Sequence, residues 1–238
     1  MKMASAKQER VVIVGKTRMG GGVCVGGMIE STGRSVRILP PGGFCHPPDT
    51  AFQVGEVWQM TLRRRDGLEP PHTEDHDESC ATRLGSIEAL ARFVQRVGAP
   101  HTCEPSGLFG GALRFRNAGS AYLPRVTPLP DRSVEFWITP RVMVHSMRYD
   151  KSRYQMQGQP SLSLPYVGHD TPLPTIPAGT LVRLSLARWW TNPQAPEEGP
   201  GCSLQLSGWL GMPVDAQQIW PKNFPRPTSA SSDDEIPF

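Results

Sequence analysis

The chain has 238 residues, a formal net charge of +3 and 38% hydrophobic residues, so it can build one large core or two small ones. Its 24 glycines and 25 prolines leave little room for long helices and favour many short strands. There is no apolar run long enough to span a bilayer as a helix, and Met1–Arg10 lacks the apolar centre of a secretory signal, so a soluble cytoplasmic protein is expected. The five cysteines, Cys24, Cys45, Cys80, Cys103 and Cys202, are odd in number and widely spaced, which argues for free thiols rather than a disulfide framework.

In chain order, Arg10–Gly15 is an apolar run suited to a buried strand. Cys24–Glu30 and Ser35–Leu39 follow as a hairpin about the Ser31-Thr32-Gly33 turn. In Glu56–Arg65, Trp58, Met60 and Leu62 share one face, and Gln59, Thr61, Arg63 and Arg65 the other. The spacing predicts a helix over 86–97, capped by Ser86, with Ala89, Leu90, Phe93, Val94 and Val97 as its apolar stripe and Gly98 and Pro100 as its stop. Further strands are expected at Ala112–Arg116, Ser133–Thr139, Val142–Arg148, Arg153–Gln157, Thr180–Trp189 and Ser203–Leu210. The fold class is therefore mainly all-β: two small OB-like β-barrels, over residues 8–102 and 103–212, with one connecting helix and a disordered tail over 213–238. Periodicity alone does not separate an OB barrel from an SH3-like or PUA-like one.

Three stretches carry a resemblance. Lys16-Thr17-Arg18-Met19-Gly20-Gly21-Gly22 before Cys24, then Val36-Arg37-Ile38-Leu39-Pro40, and His72-Thr73-Glu74-Asp75 resemble a bacterial family described as having dual OB domains. The closing segments Thr180–Trp190 and Cys202–Leu210 are similar to the end of that family, and the resemblance implies two OB folds.

OB folds that hold single strands use a basic groove for phosphates and aromatic faces for bases. The densest such segment is His145–Gln157, where Arg148, Tyr149, Lys151, Arg153 and Tyr154 form a predicted strand-loop-strand finger. Arg114 and Arg116 share a strand face opposite Phe115. Arg63 and Arg65 share an outward face, and Arg37 lies between buried aliphatics. Arg188, Trp189 and Trp190 close a strand beside a Pro-rich loop, and Lys16 and Arg18 border a glycine loop suited to phosphate contact. That loop lacks the spacing of a Walker A motif, so nucleotide hydrolysis is not expected.

Other chemistries are weaker. His72, His76 and Cys80 recur every four residues, a spacing that would gather zinc ligands on a helix, with Cys45-His46 or His101 and Cys103 to complete the set. Paired Cys-x-x-Cys signatures are absent, and no cofactor is expected. Glu74, Asp75 and Asp77 could hold Mg²⁺ in a nuclease, but no further catalytic motif supports them, so a binding protein is expected rather than an enzyme.

After Pro213 the basic residues Lys222 and Arg226 are outnumbered by Asp215, Asp233, Asp234 and Glu235, which leaves the body more basic than the whole. The ending Asp233-Asp234-Glu235-Ile236-Pro237-Phe238 follows Pro221–Ser232, a stretch too rich in proline and serine to fold. It closely resembles the tip of bacterial single-stranded DNA-binding proteins, Asp-Asp-Asp-Ile-Pro-Phe, with Glu235 in place of the third aspartate. The resemblance implies recruitment of repair, recombination or replication enzymes through a pocket for Phe238 and its carboxylate. About 20 flexible residues would give the tip a reach of roughly 25 Å. The expected function is single-stranded DNA binding with partner recruitment, and a homo-oligomer is compatible with the sequence. The alternatives are an adaptor of a defence system or mobile element that engages host DNA-processing enzymes, and a metal-dependent nuclease.

Overall fold

Alternation of apolar and polar residues drives the first half into a closed sheet. The computed structural model describes residues 7–126, 128–158, 161–193 and 196–211. Strands β1 (Lys7–Met19), β2 (Gly22–Ile29), β3 (Ser35–Leu39), β4 (Glu56–Arg64) and β5 (Asp75–Ser86) close into a barrel in the order β1-β2-β3-β5-β4. β4 returns to pair with β1, and β3 and β5 run parallel, which is the connectivity of an OB fold. Val11, Ile13, Val25, Ile38, Met60 and Leu62 fill the interior, with Trp58, Met60 and Leu62 facing inward together as their alternation predicts. β1 is apolar on both faces because both are packed: Val11 and Ile13 face the barrel interior, while Val12 and Val14 alternate outward onto a second layer.

The helix differs from the expectation over 86–97. β5 continues through Ser86, whose Oγ accepts a hydrogen bond from Arg83 at 3.1 Å, so Ser86 caps nothing. Helix α1 spans Leu90–Val97 and begins after Ala89 without a side-chain cap. Gly98 ends it by donating to the Val94 carbonyl at 2.7 Å.

The second half contains β6 (Arg114–Phe115), β7 (Ala121–Pro124), β8 (Val134–Ile138), β9 (Met143–Arg148), β10 (Lys151–Met156), β11 (Leu162–Pro165), β12 (Thr175–Ile176), β13 (Leu181–Leu186), β14 (Trp190–Thr191) and β15 (Pro200–Gly211). β8 and β9 act as one strand interrupted at Pro140, which has no N–H for a ladder. β8 pairs with β13, and β9 with β10. β10 then pairs with β11, Tyr166 just beyond β11 bridges in parallel to Leu206 of β15, and β15 pairs with β13. This path retraces the strand order of the first barrel. Its core holds the fully buried Trp137 and Tyr154 among Leu123, Met143, Leu184 and Leu206.

The halves share a third apolar cluster. Val12, Val14, Met28 and Val57 of the first barrel meet Phe93 and Val94 of α1 and Phe136 and Leu181 of the second half. Each large side chain buried there contributes about 1.5–3 kcal/mol, so the seam is a structural core. Among the described residues no helix is long and apolar enough to cross a membrane.

Candidate nucleic-acid interface

OB folds bind oligonucleotides on the face of their second and third strands, flanked by the loops between strands one and two and between four and five. In the first barrel that face is β2–β3, and the second half covers it. Gly15 and Gly26 are register partners on β1 and β2. The guanidinium of Arg183, from β13, lies over this pair so closely that a Cβ on Gly26 would stand 2.5 Å from Nη2. Arg183 is 7% exposed, and its Nε has no hydrogen-bond partner. Beside it, Asp75 Oδ2 accepts from Arg37 at 2.8 Å and from Arg188 at 2.7 Å, tying β3 and β5 to the segment after β13. His72 donates Nε2–H to the Ala187 carbonyl at 3.1 Å, and the Thr73 hydroxyl donates to the Asp131 carbonyl at 2.5 Å. The segment after β11 is stitched to β1 by the Arg18 N–H to the Val167 carbonyl (2.8 Å) and the His169 N–H to the Lys16 carbonyl (2.9 Å).

Several residues assigned to nucleic acid from the sequence therefore serve the fold. Lys16 is buried, with Nζ 3.5 Å from the Thr50 carbonyl, because Val14 and Gly15 draw this part of β1 into the seam. Arg37 is half-buried and held by Asp75. Arg63 and Arg65 are both neutralised by Asp77, at 2.6 and 2.7 Å, and Arg65 also holds the carbonyls of Pro40 and Gly43. Burial pushes the Asp77 carboxyl up, but these two arginines outweigh it and hold it below the usual carboxylate range. Tyr154 is fully buried and donates to the Leu173 carbonyl at 2.7 Å, so it cannot stack on a base. Arg18 is exposed but turned to the carbonyls of His169 and Asp170. Arg116 is paired with Glu198 and lies over the Tyr122 ring, while Arg114 beside it on β6 is exposed. Trp189 is half-buried beneath Arg125, 5.4 Å from ring centroid to guanidinium carbon.

The metal and nuclease candidates are likewise engaged. His72 lies in the loop before β5, and His76 donates Nδ1–H to the Glu74 carbonyl at 2.7 Å. Cys80 is exposed at a bulge in β5, where its φ is 53°. On a strand, a spacing of four does not gather ligands as it would on a helix. Among the described residues no three acidic, His or Cys side chains form a metal cluster. Glu74 accepts from the Ser133 N–H at 2.5 Å and its hydroxyl at 2.9 Å, and burial pushes its pKa up. Asp75 and Asp77 neutralise arginines.

The second barrel is different. Its corresponding strands are β10 and β11, and β10 alternates so that Tyr154 and Met156 point inward while Lys151, Arg153 and Gln155 point outward. Arg148 stands across from Lys151 in the register with β9. The turn between them is Tyr149-Asp150, both with positive φ (51° and 57°), the tight geometry that continues the strand twist. It leaves Tyr149 83% exposed at the tip, with the Arg148 guanidinium 5.3 Å from its ring. Arg148, Lys151 and Arg153 make no ion pair among the described residues; Arg153 instead donates to the Ser163 hydroxyl and carbonyl at 3.0 and 2.9 Å. Trp190, 59% exposed, sits in the connection between the fourth and fifth strands of this barrel, next to Trp189 as the sequence has it. Phe44, 77% exposed on the β3–β4 loop, was missed from the sequence, since nothing local distinguishes it from a loop hydrophobe.

The architecture defines a protein of two OB folds packed across a shared core. The chain matches the dual OB-containing domain family over residues 9–209 and belongs to that family. No curated protein matches it. Among solved structures, it resembles the p204 HINb domain, at 10% identity over 87% of this chain and 100% of that one, with a TM-score of 0.35. A murine DNA-binding protein solved with double-stranded DNA aligns at 11% identity over 84% of this chain and 90% of that one, TM-score 0.33. Both likenesses are too distant to transfer a function.

Proposed function

We propose that this protein binds single-stranded nucleic acid, DNA in the first instance, on the outer face of β10 and β11 and the β9–β10 hairpin. The observation that carries the reading is the contrast between the barrels. The first barrel's ligand face is covered, and of its arginines Arg37 is neutralised by Asp75 and Arg63 and Arg65 by Asp77. The second presents Arg148, Lys151 and Arg153 without an acid partner among the described residues, around an exposed tyrosine. Cations follow the phosphates, Tyr149 and Trp190 offer stacking faces, and neither contact selects sequence. Residues 233–238, outside the described residues, are assigned the recruitment of DNA-processing enzymes on the strength of their sequence, with the body keeping the partner close to the strand.

Fluorescence anisotropy with a labelled single-stranded oligonucleotide tests the binding role. Arg148→Gln/Lys151→Gln is expected to weaken binding about tenfold at low salt and to flatten the log–log salt dependence by roughly 0.7 per lost phosphate contact. Arg63→Gln, at an arginine already held by Asp77, should leave affinity unchanged. Equal losses in the two variants would overturn the assignment. Deleting 233–238 should abolish capture of tip-recognising enzymes while the body still binds DNA.

A further inference from the structure

At one end of the first barrel lies a cleft that strand binding on the second barrel leaves unused. It encloses 590 Å³ and is walled by both halves and by the segment following α1, a volume typical of small-molecule sites. The buried carboxylates in its wall are consumed internally. Glu74 is bonded to Ser133. Glu135, with its side chain 1% exposed, accepts from the Phe109 N–H at 2.8 Å and from Arg132 at 2.7 Å.

Two arginines of the same wall are not consumed. The Arg64 side chain makes no hydrogen bond or ion pair among the described residues, and Arg64 is the cross-strand neighbour of His76 in the β4–β5 register. The Arg34 guanidinium meets only the His76 Nε2, at 3.5 Å. Because His76 Nδ1–H is committed to the Glu74 carbonyl, Nε2 offers Arg34 a lone pair, and the ring there is neutral. Burial, and with it the Arg34 and Arg64 charges, holds this imidazole below its ordinary pKa against the Glu74 hydrogen bond and the Asp75 charge. Two guanidiniums flanking one imidazole, neither of them in an ion pair among the described residues, are relieved by an anion. Planar guanidinium groups match the oxygens of a phosphate in particular.

We propose that this cleft binds a phosphoryl group through Arg34 and Arg64, carried either by a free nucleotide or by the 5′ end of a nucleic-acid strand. None of its wall residues lies on β10 or β11, so the site and the proposed strand-binding face can fail independently.

Isothermal titration of the full chain with ADP and with inorganic phosphate, beside anisotropy with 5′-phosphorylated and 5′-hydroxyl oligonucleotides, tests the proposal. Saturable binding of ADP or a preference for the 5′-phosphorylated strand is expected, weakened about tenfold by Arg64→Gln and further by Arg34→Gln/Arg64→Gln. The Arg148→Gln/Lys151→Gln variant should leave that phosphate-dependent component intact. ADP binding that a 5′-hydroxyl strand does not displace identifies a free nucleotide, whereas a 5′-phosphate preference lost in Arg64→Gln identifies a strand end. Arg64 holds nothing in place, so thermal melting of its variant should match the wild type. No saturable binding and no 5′-phosphate preference, or binding indifferent to both variants, would overturn the site.

Discussion

Gly33→Ala is expected to be among the most destabilising single-methyl additions in the chain. Gly33 sits in the β2–β3 turn with φ at 69°, and a Cβ there would stand 2.1 Å from the Val97 carbonyl oxygen at the end of α1. The left-handed conformation costs a non-glycine residue roughly 1–2 kcal/mol, and overpacking against backbone adds about 1–3 kcal/mol. The expected loss is about 3 kcal/mol or more, or roughly ten degrees in Tm for a chain of this size. Gly42 supplies the control, since its φ is also 69° but nothing lies within 4 Å of its Cβ position. Gly42→Ala should therefore show the conformational cost alone. Equal melting temperatures for the two variants would show that α1 does not rest on the β2–β3 turn as described.

Acid should weaken the protein through His72, which ties the loop before β5 to the end of β13. Burial, then the charges of Arg188 and Arg37, lower its pKa from 6.5 to about 4. Between those values the unfolded chain binds more protons than the folded one, so stability falls as the pH drops from 6.5 towards 4. The full effect is on the order of 3 kcal/mol. His46 and His76 are shifted in the same direction and add to it, while Glu74, shifted up, opposes them at the acid end. Urea unfolding at about pH 7 and about pH 4.5 measures the slope. His72→Gln keeps a donor for the Ala187 carbonyl but cannot titrate, so its stability should change much less over that interval. An undiminished drop in the variant would assign the acid sensitivity elsewhere.

The strands of the first barrel were legible where one face is apolar: β3 and β4 follow their alternation almost residue for residue. β5 was not, because its buried positions include Asp75, His76 and Asp77, stabilised by arginines and hydrogen bonds rather than by apolar burial. Its continuation through Ser86 also defeated the capping signal, which a strand ending in serine imitates. At the candidate interface, residue types were informative but pairing was not. Arg37 and Arg188 meet at Asp75 from 38 and 113 positions away, distances that no local pattern spans. Tyr154 could have been placed correctly, since Tyr154 and Met156 alternate with Arg153 and Gln155 as a half-buried strand requires. Arg34 and Arg64 form one cleft only because β3, β4 and β5 close the barrel around them.

That closure also makes the two OB folds unequal. The same strand order is used once to build a seam, with Arg183 laid over Gly15 and Gly26, and once to leave a face open. The division of labour is the central claim, and ultraviolet cross-linking of the full chain to a single-stranded oligonucleotide, with adducts mapped by mass spectrometry, tests it most directly. The account predicts adducts at Tyr149 and along Lys151–Gln155, lost when an unlabelled strand competes. Adducts confined to the first barrel, at Phe44 or around Arg18, with none on the β9–β10 hairpin, would contradict it.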